Sequence, residues 1–233
     1  MKSNIPICIA ISLLTFMLSS CEDACKGIRI RSYHLIDCYE EWTSFELSYD
    51  GRLIIKLIPE NKYYSYEVQE LFSPTQTIEN LNRFNELAAK NKDIGYDWVE
   101  IYFRGGRTRS AAYPGIAVIQ ITSDRDYDES HPAGTPLNDI FIADYFSYTQ
   151  FLGDIDHSDV NPADYILGDT KKPCNEIEEH ELSVIYPYIT LWAMYAPTAW
   201  TGKHKITVTL TDENGNTHSQ TAETDLYDFK RFE

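Results

Sequence analysis

The sequence predicts a mainly β protein: a β-sandwich with one short helix and long acidic loops. Three observations predict it. Short runs rich in β-branched and aromatic residues recur along the chain, Asp-Gly and Asn-Gly turn signals break the two clearest hairpins, and only one stretch shows helical spacing. With 233 residues, 43% hydrophobic and 24% charged, the chain can bury a sizeable core, which excludes a disordered chain or a miniprotein held by disulfides alone.

Residues 1–20 read as a secretory signal. Lys2 and the amino terminus carry positive charge, and the mostly apolar run from Ile5 to Leu18 is 14 residues long, too short to span a bilayer. Small residues Ser19 and Ser20 lead to Cys21. Next come two strand-like runs, residues 45–49 and 52–58, around Asp50-Gly51, which suits a two-residue type I′ hairpin. Residues 63–68 continue the β character after a turn at Pro59-Glu60-Asn61. The pattern changes over residues 77–91, where Ile78, Leu81, Phe84, Leu87 and Ala88 recur at three- and four-residue spacing and predict an amphipathic helix. Residues 98–103 and 115–122 return to β-branched and aromatic runs, joined by a segment carrying Arg104, Arg107 and Arg109. Residues 123–181 are loop-rich, with Pro132, Pro136, Pro162 and Pro173 around the apolar piece Ile140-Phe141-Ile142. Strand character resumes over 182–194, and the chain ends in its clearest hairpin, 204–210 and 217–224 around Asn214-Gly215.

The formal charge is −16, and a pI near 4.7 with no basic stripe argues against a nucleic-acid partner, since phosphates would be repelled. The acidity is local. Residues 124–181 hold 15 acids against Arg125, Lys171 and Lys172, so a cation or a basic partner would be sought there.

Two resemblances set an address. Leu18-Ser19-Ser20-Cys21 resembles the lipobox of bacterial lipoproteins, which implies cleavage before Cys21 and lipidation of its sulfur; two or more acyl chains give stable anchoring. The acidic start Cys21-Glu22-Asp23-Ala24 resembles the export signals of Bacteroidetes lipoproteins, implying an outer-membrane, lipid-anchored location, periplasmic or surface-facing. Residues 21–27 are then a lipidated acidic tether and 28–233 a β-rich globular domain, any division into sandwich halves falling near 123–138. The final hairpin, from Gly202 to Thr217, looks like the last two strands of immunoglobulin-like bacterial surface domains. The stretch I-T-S-D-R-D-Y-D-E-S-H-P-A-G-T-P-L-N-D-I-F at 121–141, in a Tyr-rich anchored chain, resembles small Bacteroidales cell-envelope lipoproteins with a domain of unknown function. That resemblance implies a location and an immunoglobulin-like sandwich, but no activity.

Candidate chemistry is sparse. Asp124, Asp126 and Asp128 alternate as in the opening of calcium loops, where carboxylates converge on a hard cation, but Glu129 and Thr135 stand where an EF-hand needs Gly and a bidentate acid. A different calcium site would add Glu129 or Asp139, and Asp154, Asp156 and Asp159 form a second acidic cluster. The ordinary reading of both is a solvated loop. Once Cys8 leaves with the signal and Cys21 is lipidated, Cys25, Cys38 and Cys174 remain; one disulfide and one free thiol is the simplest arithmetic, with Cys25–Cys38 or either bond to Cys174 open. No CxxC, HExxH, GxSxG or P-loop occurs, so no catalytic residue is assigned. Aromatic residues make up 13% of the chain, densest at Tyr145-Phe146-Ser147-Tyr148 and at Tyr186-Pro187-Tyr188 with Trp192, Tyr195 and Trp200. Packing is their usual use, but exposed rings would give sugars flat faces to stack on. The three arginines would hold an anion or form a solvated hairpin tip. The expected function is a non-catalytic binding or assembly module for a glycan or an envelope protein; the alternative is a carboxylate-dependent hydrolase acting on glycans.

Overall fold

Leu53, Ile55 and Leu57 are buried while Ile54, Lys56 and Ile58 between them are not, and this period-two sorting organises the chain into layers. The structure, a computed structural model, describes residues 27–102, 108–153, 169–198 and 202–225. Residues 1–20, expected as a signal, and Cys21, Cys25, Arg104, Arg107, Asp154, Asp156, Asp159 and Trp200 lie outside the described residues.

The described residues form eleven strands: β1 (Ile28–Ser32), β2 (Cys38–Tyr49), β3 (Leu53–Tyr64), β4 (Trp98–Tyr102), β5 (Ser110–Tyr113), β6 (Ile116–Ser123), β7 (Phe141–Ser147), β8 (Asp169–Pro173), β9 (Ile185–Ala193), β10 (His204–Asp212) and β11 (Thr217–Thr224). Two helices, α1 (Tyr66–Phe72) and α2 (Ile78–Lys90), follow β3. Six strands form one sheet in the order β5-β2-β3-β9-β7-β8, three form a second, β11-β10-β6, and β1 pairs with β4 as a ribbon. The fold is mainly β, as expected, with its sheets packed together.

The main core lies between the two larger sheets. Leu53, Ile55, Leu57, Phe141, Ile189 and Leu191 meet Ile119, Ile121, Ile206, Val208 and Leu210 there. A second core covers the opposite face of the six-stranded sheet at one end, where Phe84, Leu87 and Ala88 of α2 pack with Leu35, Ile36, Tyr39 and Tyr63. Both large sheets draw strands from either side of residues 123–138, so the loop there joins β6 to β7 within one shared core.

α2 forms as its spacing predicts: the Thr77 hydroxyl accepts the Asn80 N–H at the N-cap, and Phe84, Leu87 and Ala88 are its buried side. The last hairpin also forms. Asp212 accepts the backbone N–H of Asn214 and Asn216 and the side-chain amide of Asn216, while Gly215 supplies a positive φ of 84°.

Other expectations need correcting. Tyr49 pairs with Leu53, so the first hairpin has a three-residue connection in which Gly51 alone has positive φ; a type I′ turn would also need it at Asp50. The expected turn at Pro59-Glu60-Asn61 lies inside β3, where the ladder with β2 shifts register between Glu41 and Ser44. Residues 66–68, expected as strand, open α1, whose Val68 is buried. The apolar piece at 140–142 starts a seven-residue strand rather than interrupting a loop.

Candidate functional site on the six-stranded sheet

Along β9, Ile189, Leu191 and Ala193 enter the core between the sheets, so Tyr188, Thr190 and Trp192 fall on the opposite face. Beyond the part that α2 covers, this face carries both exposed and buried side chains, Thr190 among the buried. Register places Lys56 of β3 beside Tyr188, and Glu46 of β2 beside Lys56. Ser48, Ile54, Thr190, Asp144 and Lys171 make the next row across five strands, and Trp192, Ile142 and Pro173 the row after. Tyr188 is 38% exposed and Trp192 half-buried. The Arg52 guanidinium sits 5.2 Å from the Trp192 ring centre and fixes that indole by a cation–π contact. At four residues of strand rise, Tyr188 and Trp192 stand about 13 Å apart along β9.

Three ion pairs lie on this face among the described residues. Lys56 Nζ lies 3.6 Å from Glu46, Lys171 Nζ 3.5 Å from Asp144, and Arg52 Nε 3.3 Å from Asp50. The sequence pointed to Tyr188 and Trp192 as part of an aromatic group. It did not show these ion pairs, because partners on β2, β3, β7 and β8 are joined only by sheet register.

The other aromatic candidates disperse. Tyr145 and Tyr148 are buried, Tyr186 packs against the helix-side core, and Tyr195 lies elsewhere, its hydroxyl donating to Asp128 at 3.1 Å.

The three alternating aspartates do not converge. Asp124 accepts the Lys205 N–H, Asp126 the Ala133 N–H, and Asp128 the Ser130 and His131 N–H groups, each within 2.9 Å. Each carboxylate holds a different stretch of backbone, and among the described residues no group of three or more His, Cys, Asp or Glu is placed to hold a metal ion. His131 bridges Asp128 at 2.8 Å and Asp139 at 3.1 Å through its two ring nitrogens. Burial opposes its charge, but the two carboxylates outweigh it and raise its pKa.

Cys38 and Cys174 are buried free thiols. Cys38 lies on β2 and Cys174 follows β8, with β3, β9 and β7 between those strands, so they cannot bond to each other. Burial pushes the Cys174 thiol up to about 12 and the Cys38 thiol higher still, which removes the thiolate needed for nucleophilic chemistry. Arg109, expected as an anion holder or a hairpin tip, donates from its guanidinium to Asp37 at 2.7 Å. Ser123 Oγ lies 2.8 Å from His204 Nδ1, the spacing of a nucleophile and base, but both residues are buried and Ser123 Oγ also accepts the Arg125 N–H. Substrate has no path to that pair.

Asp93, fully buried on the helix side, accepts the N–H of Leu35 at 2.6 Å and of Ile36 at 3.2 Å. Burial is the dominant influence and pushes its pKa up to about 7. A raised carboxyl is what a general acid needs, yet this one is sealed from any glycan.

Around the 3-10 turn at Glu179–Leu182 the surface is grooved. One cleft of about 500 Å³ is lined by Glu178, Glu179, His180, Ser183 and Glu213, and an adjoining one of about 290 Å³ by Lys90, Lys92 and Thr149 among others. Glu213 pairs with Lys90 at 3.1 Å, and Glu178 lies 3.4 Å from His180 while capping the turn. Among the described residues, no Phe, Tyr or Trp lines either cleft.

No protein-family model, curated protein or solved structure matches the chain. No helix among the described residues is long and apolar enough to cross a membrane.

Proposed function

We propose that this chain is a lipid-anchored outer-membrane protein of the Bacteroidales type, held by acylated Cys21, whose immunoglobulin-like sandwich is a non-catalytic binding or assembly module for a glycan or an envelope protein. The observation that carries the binding reading is the face of the six-stranded sheet opposite the main core, where Tyr188 is exposed and Trp192 half-buried among polar side chains. Aromatic rings with a polar surround make a recognition surface. The immunoglobulin-like element of the proposal rests on the terminal hairpin and on the packing of its sheet against a larger one. The test is a glycan array and an envelope pull-down with the full chain, alongside Y188A and W192A. The expected result is a ligand that both variants lose while their circular dichroism stays native; a ligand retained by both would reject this sheet face as the site.

The alternative, a carboxylate-dependent hydrolase acting on glycans, is favoured by one observation: Glu178, Glu179 and Glu213 line a single cleft. Glycoside hydrolysis needs two carboxyl groups about 5 to 9.5 Å apart. That reading predicts release of reducing ends from a glycan the protein binds, lost in E179Q and E213Q. The binding reading predicts no release by the unaltered chain.

A further inference from the structure

We infer that the end of the domain carrying the β1–β2 joint lies against the headgroup surface of the membrane, through the exposed side chains of Tyr33, Tyr66 and Ile94; this rests on the lipid-anchored reading above and gives it an orientation. At the joint, His34 Nδ1 lies 3.8 Å from Glu67 in the first turn of α1, and Asp93, after α2, accepts the Leu35 N–H at 2.6 Å. Tyr33, Tyr66 and Ile94 each adjoin one of these residues in the chain, yet they are 48%, 69% and 56% exposed. Three segments that meet at one buried joint thus each turn a large apolar side chain outward. The Arg31 guanidinium stands 5.9 Å from the Tyr33 ring centre, and strand alternation places exposed Arg29 on the same face of β1 as Arg31. Tyrosine suits a membrane interface, with its ring at the acyl boundary and its hydroxyl among headgroups, and arginine reaches phosphates from an apolar stem.

Position selects the bilayer as the occupant. Residues 22–27 between Cys21 and β1 reach roughly 25 Å when extended, so acylation holds this end within touch of the membrane. A contact too weak to hold a free protein is then populated by effective concentration. Three separate side chains do not supply the packed core that a protein interface of about 800 Å² a side requires, whereas a fluid headgroup layer adapts to each. The acids lie elsewhere. Cys38 pairs with Tyr64 at the joint end of the six-stranded sheet, while Leu53 pairs with Leu191 and Phe141 with Ala193 at the other. The loop that carries Asp124, Asp126, Asp128, Glu129 and Asp139 enters β7 at Phe141, at that far end. The 12 residues of β3 put roughly 35 Å between the two ends. Screening over about 8 Å at physiological salt hides those acids from anionic lipid beneath the joint.

The test places the photo-crosslinking residue p-benzoylphenylalanine at position 33, 66 or 94 of the full acylated chain, with position 194 as control, since Met194 is 43% exposed at the far end. Each protein is reconstituted in vesicles of three parts phosphatidylethanolamine to one of phosphatidylglycerol, floated to confirm that it is held, and irradiated. Mass spectrometry then counts the lipid adducts. The expected result is adducts at all three joint positions, at least about fivefold above position 194. Y33D with Y66D should cut the adducts at position 94 by about threefold or more while flotation and the thermal transition stay unchanged, because both side chains are exposed. Equal adducts at all four positions, or adducts confined to position 194, overturn the inference and leave the anchor standing. Crosslinks at the joint to protein rather than lipid, in native membranes, overturn it in favour of a docking partner. A full chain that does not float overturns the inference and the lipid-anchored reading together.

Discussion

Asp93 shows how one buried side chain can set a pH dependence. Its oxygens accept from Leu35 N–H and Ile36 N–H, and the Tyr39 hydroxyl lies 3.4 Å away, so it ties the turn before β2 to the loop after α2. A carboxyl whose folded pKa lies above its free value binds its proton more tightly when folded. Its stabilisation is therefore complete below the free value of 3.8 and is lost as pH rises through about 7. His34 acts in the same sense. Burial opposes its charge, but Glu67 at 3.8 Å, with Asp93 and Asp37, raises its pKa, so its contribution is full below 6.5 and fades as pH rises through the folded value. Glu67, lowered on balance by His34 and local hydrogen bonds against the cost of burial, sets the acid limit, since its contribution is lost as pH falls through its own depressed pKa. D93N keeps one acceptor and removes the proton. Urea unfolding of both proteins from pH 4 to 8 should show wild-type stability declining relative to D93N up to pH 7, by on the order of 4 kcal/mol at most, and then levelling off. A difference that does not vary with pH would mean that Asp93 keeps an ordinary carboxylate pKa.

Gly115 controls how two elements meet. A Cβ there would stand 2.5 Å from the Ser183 carbonyl oxygen and 2.6 Å from its Cα, so the start of β6 approaches the backbone after the Glu179–Leu182 turn more closely than any side chain allows. Both atoms are backbone and cannot swing aside. G115A should cost about 1 to 3 kcal/mol as overpacking, lowering Tm by several degrees and opening the Glu179–Leu182 turn to hydrogen exchange. An unchanged Tm would show that β6 can draw back freely. At this scale the sequence was readable where one element carried its own signal. α2 has five apolar residues at helical spacing and a capping threonine, and β10 and β11 alternate around Asn-Gly. It was unreadable where neighbours decide. α1 has seven residues, too few for a stable isolated helix, and forms with Val68 buried against the fold. β8 reads Asp-Thr-Lys-Lys-Pro, which carries no strand pattern, yet lysine and proline suit an edge strand, and its lysines pair with Asp144 and Glu181. The candidate face follows the same logic: Tyr188 and Trp192 stood out in the sequence, whereas Glu46, Lys56 and Asp144 acquire meaning only from register.

For the whole molecule, the proposed anchor and the sandwich meet at β1. Only residues 22–27 separate Cys21 from that strand, a reach of roughly 25 Å when fully extended, so acylation would keep the domain close to the bilayer. β1 joins β4 over five residue pairs, and Arg31 grips Asp97 through two hydrogen bonds of 2.6 Å, so the tether would pull on a paired ribbon rather than a loose end. The large sheets belong to different ladders and would not bear that pull directly. Anchoring should therefore be separable from folding. C21A, expressed in a bacterium with lipoprotein-processing enzymes, should lose palmitate labelling and leave the membrane fraction, yet keep the thermal transition and the ligand binding of the wild type. Globomycin should cause the unaltered protein to accumulate as an uncleaved precursor. Labelling that persists in C21A would place the lipid elsewhere, and a C21A protein that fails to fold would show that Cys21 serves the domain itself rather than its address.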